Sequence, residues 1–349
     1  MDKTTSYLLL SILFILLIHN PVLAQQIADS LPKPVESPVP VYPRIKLLSV
    51  SYDQSASTDY KVKTTGNPDN KGDMSRGRLQ VVANIPIWKK NAFALSVTEV
   101  YTHEEMAIKQ SRNPIFESQA NYSFDNFITT LNASYLGKLF NKPLLTNASV
   151  IVGSADFLHP EKVSGLVTAM LVFQKRPDTR YTLGLGGLID PSSQIPAFPI
   201  ITYWHRFKDP RWELDIILPT MLKIRRSDVW GGWLSAGSDF NGFGYFITDA
   251  PNTSKTYQNT YSEISFNVSY EKIFAKNFMV SLQGGYKSTL QNRIMEVNKK
   301  YNDAIVDIDM GAAPYFKVGM SYIIPNEQVK KEIQKIEAER RTKNSPTGQ

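Results

Sequence analysis

The chain has 349 residues, no cysteine, and a net charge of +7 from 39 Lys+Arg against 32 Asp+Glu. The missing thiols exclude a disulfide framework, a thiolate metal site and a cysteine nucleophile. The cations are scattered rather than gathered on a basic helix or beside an RNA-reading aromatic motif, so no nucleic-acid partner is expected. The basic excess fits contact with anionic lipid headgroups.

Residues 1–24 read as a signal peptide. Lys3 supplies the positive end, residues 7–18 form an apolar run broken only by Ser11, and Val22-Leu23-Ala24 provides a cleavage site after Ala24. No cysteine follows, which excludes a lipidated N-terminus. The run is shorter than the ~20 residues of a spanning helix. No later stretch is long and apolar enough either. A membrane crossing by the mature chain therefore requires strands, because only helices and closed barrels satisfy every backbone polar group in lipid.

Residues 25–44 carry Pro32, Pro34, Pro38, Pro40 and Pro43, the composition of an extended periplasmic linker. Residues 45–324 alternate in period two between clusters of Gly, Asn, Asp, Ser and Pro. Residues 325–349 are a polar tail on the same side. Its Val329, Ile333 and Ile336 are spaced for a short amphipathic helix.

The alternation predicts strands near 45–53, 75–88, 92–103, 121–136, 146–155, 164–175, 181–190, 198–206, 211–218, 220–226, 229–240, 259–273, 278–290 and 312–324. That is about fourteen, or twelve if the short ninth and tenth merge with their neighbours. Short connections alternate with others that include the long segments 54–74, 104–120, 241–258 and 291–311. Outer-membrane barrels have short periplasmic turns and longer external loops, and an even strand count leaves both chain ends in the periplasm. The expected fold is all-β: a closed antiparallel transmembrane β-barrel with up-and-down meander topology.

The tryptophans point the same way. Trp88, Trp204, Trp212, Trp230 and Trp233 all lie close to short connections. An indole has an apolar body and a polar N–H, so it favours the headgroup level. All five are expected in a periplasmic aromatic girdle.

Period two also assigns faces. Leu79, Val81, Ala83, Ile85 and Ile87 oppose Arg78, Gln80 and Asn84. Ile264, Phe266 and Val268 oppose Glu263, Ser265 and Asn267. Val280, Leu282 and Tyr286 oppose Gln283 and Lys287, while Phe316, Val318 and Met320 oppose Lys317. A charge facing lipid at midplane costs ~2–4 kcal/mol, so the charged faces must look into the lumen. Around Pro219, one hairpin register satisfies both faces. It sets Ile216 against Leu222 and Leu214 against Ile224 outside, and Asp215 against Lys223 and Glu213 against Arg225 inside. The lumen-facing candidates are therefore Glu213, Asp215, Lys223, Arg225, Glu263, Lys287 and Lys317.

Catalytic chemistry finds little support. The mature histidines are His103, His159 and His205; Ser154, Asp156 and His159 are neighbours in sequence but lack triad spacing or a nucleophile elbow. Asp303, Asp307 and Asp309 lack the spacing of a calcium loop. Gly184-Leu185-Gly186-Gly187 sits inside a strand with no helix after it, so it reads as small residues easing strand packing rather than a phosphate loop. No enzyme activity, cofactor or metal is expected.

The segment from Phe198-Pro199-Ile200 through Trp212-Glu213-Leu214-Asp215-Ile216-Ile217-Leu218-Pro219 carries a W-x-L-x-x-x-L-P pattern. It resembles an uncharacterised outer-membrane β-barrel family of Gram-negative bacteria, named only as a domain of unknown function. The resemblance covers residues 45–324, implies barrel and membrane, and transfers no functional residue. The chain departs from the common pattern in continuing past Tyr322 instead of ending on an aromatic. The expected role is a porin-like channel or small-solute transport barrel of unknown substrate. The alternatives are a non-conducting structural or interaction barrel of the cell envelope and, last, a barrel lipid hydrolase. Outer-membrane lipid, the barrel assembly machinery and a small solute are the expected partners.

Overall fold

Strands with one apolar and one polar face leave exposed backbone at any free edge, and closure into a ring removes the edges. The computed structural model has that form. It describes residues 42–43, 46–64, 70–109, 121–157, 159–176, 178–193, 195–248, 254–275 and 277–323. The expected signal peptide and C-terminal tail lie outside these residues, as does most of the proline-rich linker.

The strands are β1 (Lys46–Thr64), β2 (Asn70–Lys90), β3 (Phe93–Lys109), β4 (Asn121–Leu139), β5 (Lys142–Ser154), β6 (Pro160–Arg176), β7 (Thr179–Ile189) and β8 (Ala197–Arg206). They continue as β9 (Trp212–Leu218), β10 (Met221–Val229), β11 (Gly232–Ile247), β12 (Tyr257–Ala275), β13 (Phe278–Glu296), β14 (Val306–Met310) and β15 (Ala313–Ile323). Each pairs antiparallel with its neighbours, and β1 pairs with both β14 and β15 to close the ring. β14 and β15 are two parts of one stave, since both lie between β13 and β1. The fifteen segments thus make a fourteen-strand barrel, the larger of the two expected counts.

The strands run further than the alternation predicts at the end with the long connections, here called the outer end. Much of the expected loops 54–74, 104–120, 241–258 and 291–311 is ladder: β1 continues to Thr64, β3 to Lys109, β11 to Ile247 and β13 to Glu296. Backbone pairing persists there without the apolar–polar contrast that marks a strand in sequence.

One side of the wall is low. β8, β9 and β10 have 10, 7 and 9 residues, against 21 in β2. β10 pairs with β11 only as far as Asp239. The upper part of β11 leans over this low side. Tyr245 stacks on Phe124 of β4 at 4.1 Å, and the Phe246 ring packs over Gly153 of β5. Nearby, Lys162 of β6 donates to Gln258 of β12 at 3.2 Å. Beneath this crossing Tyr60, Val62, Met74, Met106, Tyr245, Tyr261, Ile294 and Val306 form a buried apolar cluster. It fills the outer end of the lumen.

The two faces divide as the alternation predicts. Leu131, Val150, Leu185, Leu222, Val268, Leu282 and Val318, from strands spread around the barrel, are exposed on the outside. Asp53, Arg78, Glu213, Glu263 and Lys287 are buried inside. An apolar belt of this extent is rare on a water-exposed monomer.

Candidate functional site

The barrel interior is layered. Toward the inner end, the end of the short turns, the hairpin β9–β10 has the expected register, with Asp215 opposite Lys223 and Glu213 opposite Arg225. The ion pairs spread beyond straight rungs. Arg225 lies 3.7 Å from Asp215 and 4.0 Å from Glu213, Arg206 of β8 lies 2.8 Å from Glu213, and Lys223 reaches Asp239 of β11 at 3.0 Å. Long side chains on one face reach diagonal neighbours, which makes the rungs a web.

Higher up, a second network joins β1, β2, β3, β12 and β13. Asp53 accepts from Arg78 at 2.7 Å on one oxygen and from Lys287 at 2.6 Å on the other. Glu263 is held by Arg76 and, at 3.3 Å, by Arg78. Arg78 donates to the Tyr261 hydroxyl at 3.0 Å, and that hydroxyl donates to Glu104. The Arg78 guanidinium also lies 3.6 Å from the Phe243 ring centroid. Each charge is compensated by partners, the condition under which buried ions persist. Glu263 and Lys287 are among the expected lumen residues; Asp53, Arg76 and Glu104 are not. Glu104 fell in an expected loop, and Asp53 and Arg76 lay at predicted strand ends, where alternation is hardest to read.

Between the two networks lies a cavity of about 480 Å³. Of the expected lumen residues, Lys223, Glu263, Lys287 and Lys317 line it. Glu213, Asp215 and Arg225 lie below it, buried in the inner web.

The inner mouth is occupied by the chain itself. Tyr42, expected in a free linker, lies within the barrel. Its hydroxyl donates to Glu271 at 2.8 Å, its ring centroid is 3.7 Å from the Arg225 guanidinium, and its ring meets Trp233 edge-on at 5.8 Å. Lys46 adds an ion pair to Glu271 at 3.2 Å.

This corrects the girdle. Trp233 is 6 % exposed and points inward against Tyr42. Trp204 is cross-strand from buried Asp215, and its indole N–H donates to Glu213 at 3.4 Å, so it too faces the lumen. Proximity to a turn fixes a residue's height but not its face, and the two inward indoles find aromatic and charged partners that lipid cannot supply. Trp88 and Trp230 are exposed outside, joined at that end by Phe93, Tyr135, Phe140, Phe207 and Phe274. Trp212, two residues before outward Leu214 on β9, shares that outer face and carries the Arg226 guanidinium 5.5 Å from its ring.

The histidines are dispersed. His103 Nδ1 lies 2.8 Å from Asp125, His159 Nδ1 lies 3.0 Å from Asp156, and His205 Nδ1 lies 3.0 Å from the Thr179 hydroxyl. Asp307 pairs with Arg293 and Asp309 with Lys63. Among the described residues no group of three potential metal ligands gathers. Gly186 lies under the Phe198 ring, the close packing expected of that glycine run.

No family model matches the chain, and no curated relative matches it in sequence. The family resemblance therefore rests on the residues around Trp212 and Pro219 alone. Among solved structures, an outer membrane channel from Pseudomonas putida F1 superposes with a TM-score of 0.35 at 13% identity, over 83% of this chain and 99% of that one. The Pseudomonas putida toluene transporter TodX gives 0.32 at 10%, over 82% and 92%. The KdgM porin in complex with disordered oligogalacturonate gives 0.28 at 12%, over 79% and 99%.

Proposed function

We propose that this chain is an outer-membrane barrel that transports a small polar solute through a lumen closed at rest. The observation that carries the reading is the combination of an apolar outer belt with a charged internal cavity, bounded above by an apolar cluster and below by Tyr42. A barrel of this strand number has room for a narrow pathway once its plugs move. Residues 1–24 direct export, cleavage after Ala24 frees the chain, and the barrel assembly machinery inserts it. Outer-membrane lipid then covers the apolar belt.

The closures at both ends also suit a second reading, a non-conducting envelope barrel. The two are separated by reconstituting the mature chain in liposomes and following solute entry by swelling, with conductance recorded in planar bilayers. Transport predicts slow, size-limited entry by the wild type and faster entry with larger current steps for Tyr42→Ala. Silence from both proteins, each shown folded, selects the non-conducting barrel.

A further inference from the structure

We infer that the lumen cavity is a binding site for a small organic anion bearing hydroxyl groups, of the hydroxy-acid or sugar-acid class. The inference deepens the transport reading by naming the class of solute. Four cations, Arg78, Lys223, Lys287 and Lys317, face three carboxylates, Asp53, Asp239 and Glu263, which leaves an excess of one positive charge. The pairing is uneven. Arg78 and Lys287 are committed to Asp53, and Lys223 to Asp239. Lys317 lies directly across from Asp53 on the neighbouring strand, but that carboxylate is already held on both oxygens. Among the described residues Lys317 has no hydrogen bond and no ion-pair partner. A solute carboxylate is the group that would complete it.

A second part of the site comes from an uncommitted polar row. Gln80, Thr102 and Asn126 lie directly across from one another on β2, β3 and β4, and all three line the cavity. None of their side chains has a hydrogen-bond partner among the described residues. Asn126 is 5% exposed and Thr102 7%, and the buried Asn126 Oδ1 is unsatisfied. Polar groups this buried ordinarily find partners, and a cavity lined by them suits a ligand or ordered water. Amides and a hydroxyl both donate and accept, as do the hydroxyls of a polyol chain. The volume of about 480 Å³ falls within the ~300–1,000 Å³ of small-molecule sites.

Equilibrium dialysis of the full mature chain, folded in detergent, tests the site with three probes. Gluconate carries charge and hydroxyls, sorbitol hydroxyls alone, and acetate charge alone. Gluconate should be retained and the other two bound at least roughly tenfold more weakly. Lys317→Met should lower gluconate affinity roughly ten- to a hundredfold, with Lys317→Arg largely restoring it. Thr102→Val, which leaves every charge in place, should cost a smaller but measurable factor and covers the case in which Lys317→Met fails to fold. The proposal is overturned if the folded barrel does not retain gluconate, or holds sorbitol equally well. It is also overturned if every folded variant binds as the wild type does, which would mean water alone fills the cavity. Binding without flux would keep this site and sink transport; flux without binding would do the reverse.

Discussion

The Lys287 ammonium lies 2.6 Å from one oxygen of Asp53, although β15 runs between the strands that carry the two residues. Together with Arg78 on the other oxygen, this contact ties β13, β1 and β2 across the seam where the ring closes. Asp53→Asn leaves Lys287 buried without its counter-charge and weakens the hold on Arg78. Breaking a buried pair from one side costs ~3–5 kcal/mol. Lys63→Met, which removes the exposed pair to Asp309, should cost under ~1 kcal/mol. Urea unfolding of the two variants in detergent gives the comparison, and equal losses would refute a special role for the seam.

Lipid contact should divide the tryptophans. Single-tryptophan variants placed in brominated phospholipid should show strong quenching for Trp88, Trp212 and Trp230. Trp204 and Trp233, turned toward Glu213 and Tyr42, should be spared. Uniform quenching of all five would restore the simple girdle and contradict the inward pair.

Two adjacent glycines on β13 behave as opposites. A Cβ on Gly285 would lie 2.0 Å from the Phe266 carbonyl oxygen, whereas one on Gly284 meets nothing nearer than 3.8 Å. The carbonyl belongs to a paired backbone and cannot step aside cheaply. Gly285→Ala should therefore destabilise the barrel by roughly 1–3 kcal/mol or prevent its folding, with Gly284→Ala close to neutral. Heat-dependent gel mobility of the two proteins decides it.

His159 lies between β5 and β6. A hydrogen bond from its ring to Asp156, reinforced by that carboxylate's charge, raises its pKa above 6.5. A raised value means that the ionised ring stabilises the loop fully below its unfolded pKa and loses that effect as pH rises through the folded value. Nuclear magnetic resonance titration should show the elevated midpoint, and Asp156→Asn should move it down. An unchanged midpoint in that variant would remove Asp156 as the cause.

Legibility in the sequence followed the contrast between surroundings. On β2, β12 and β13 one face is apolar and the other charged, so residues such as Val268 and Glu263 could be assigned by parity. The hairpin at Pro219 was readable to its register because a slip would set Asp215 against an apolar residue. The outer parts of β1, β3 and β11 were not readable, since both of their faces carry mixed residues. Tyr42 was hidden for another reason. Its partners, Arg225, Trp233 and Glu271, are far along the chain, and a proline-rich neighbourhood signals only extension. Lys317 was legible as inward-facing, but its lack of a partner depends on how Asp53 is shared among three strands.

The unequal wall has a consequence for the surrounding bilayer. In a bilayer, β9 with its 7 residues would fall short of the ~9–11 residues of a spanning strand, whereas β1 and β2 exceed that length. A membrane answers such a mismatch by thinning locally or by letting the inserted body tilt, at a cost that rises with each ångström. The barrel would thus deform its host asymmetrically. Shorter acyl chains would collect along the low sector, giving the molecule a preferred flank toward thin membrane or toward a neighbour that shares the defect.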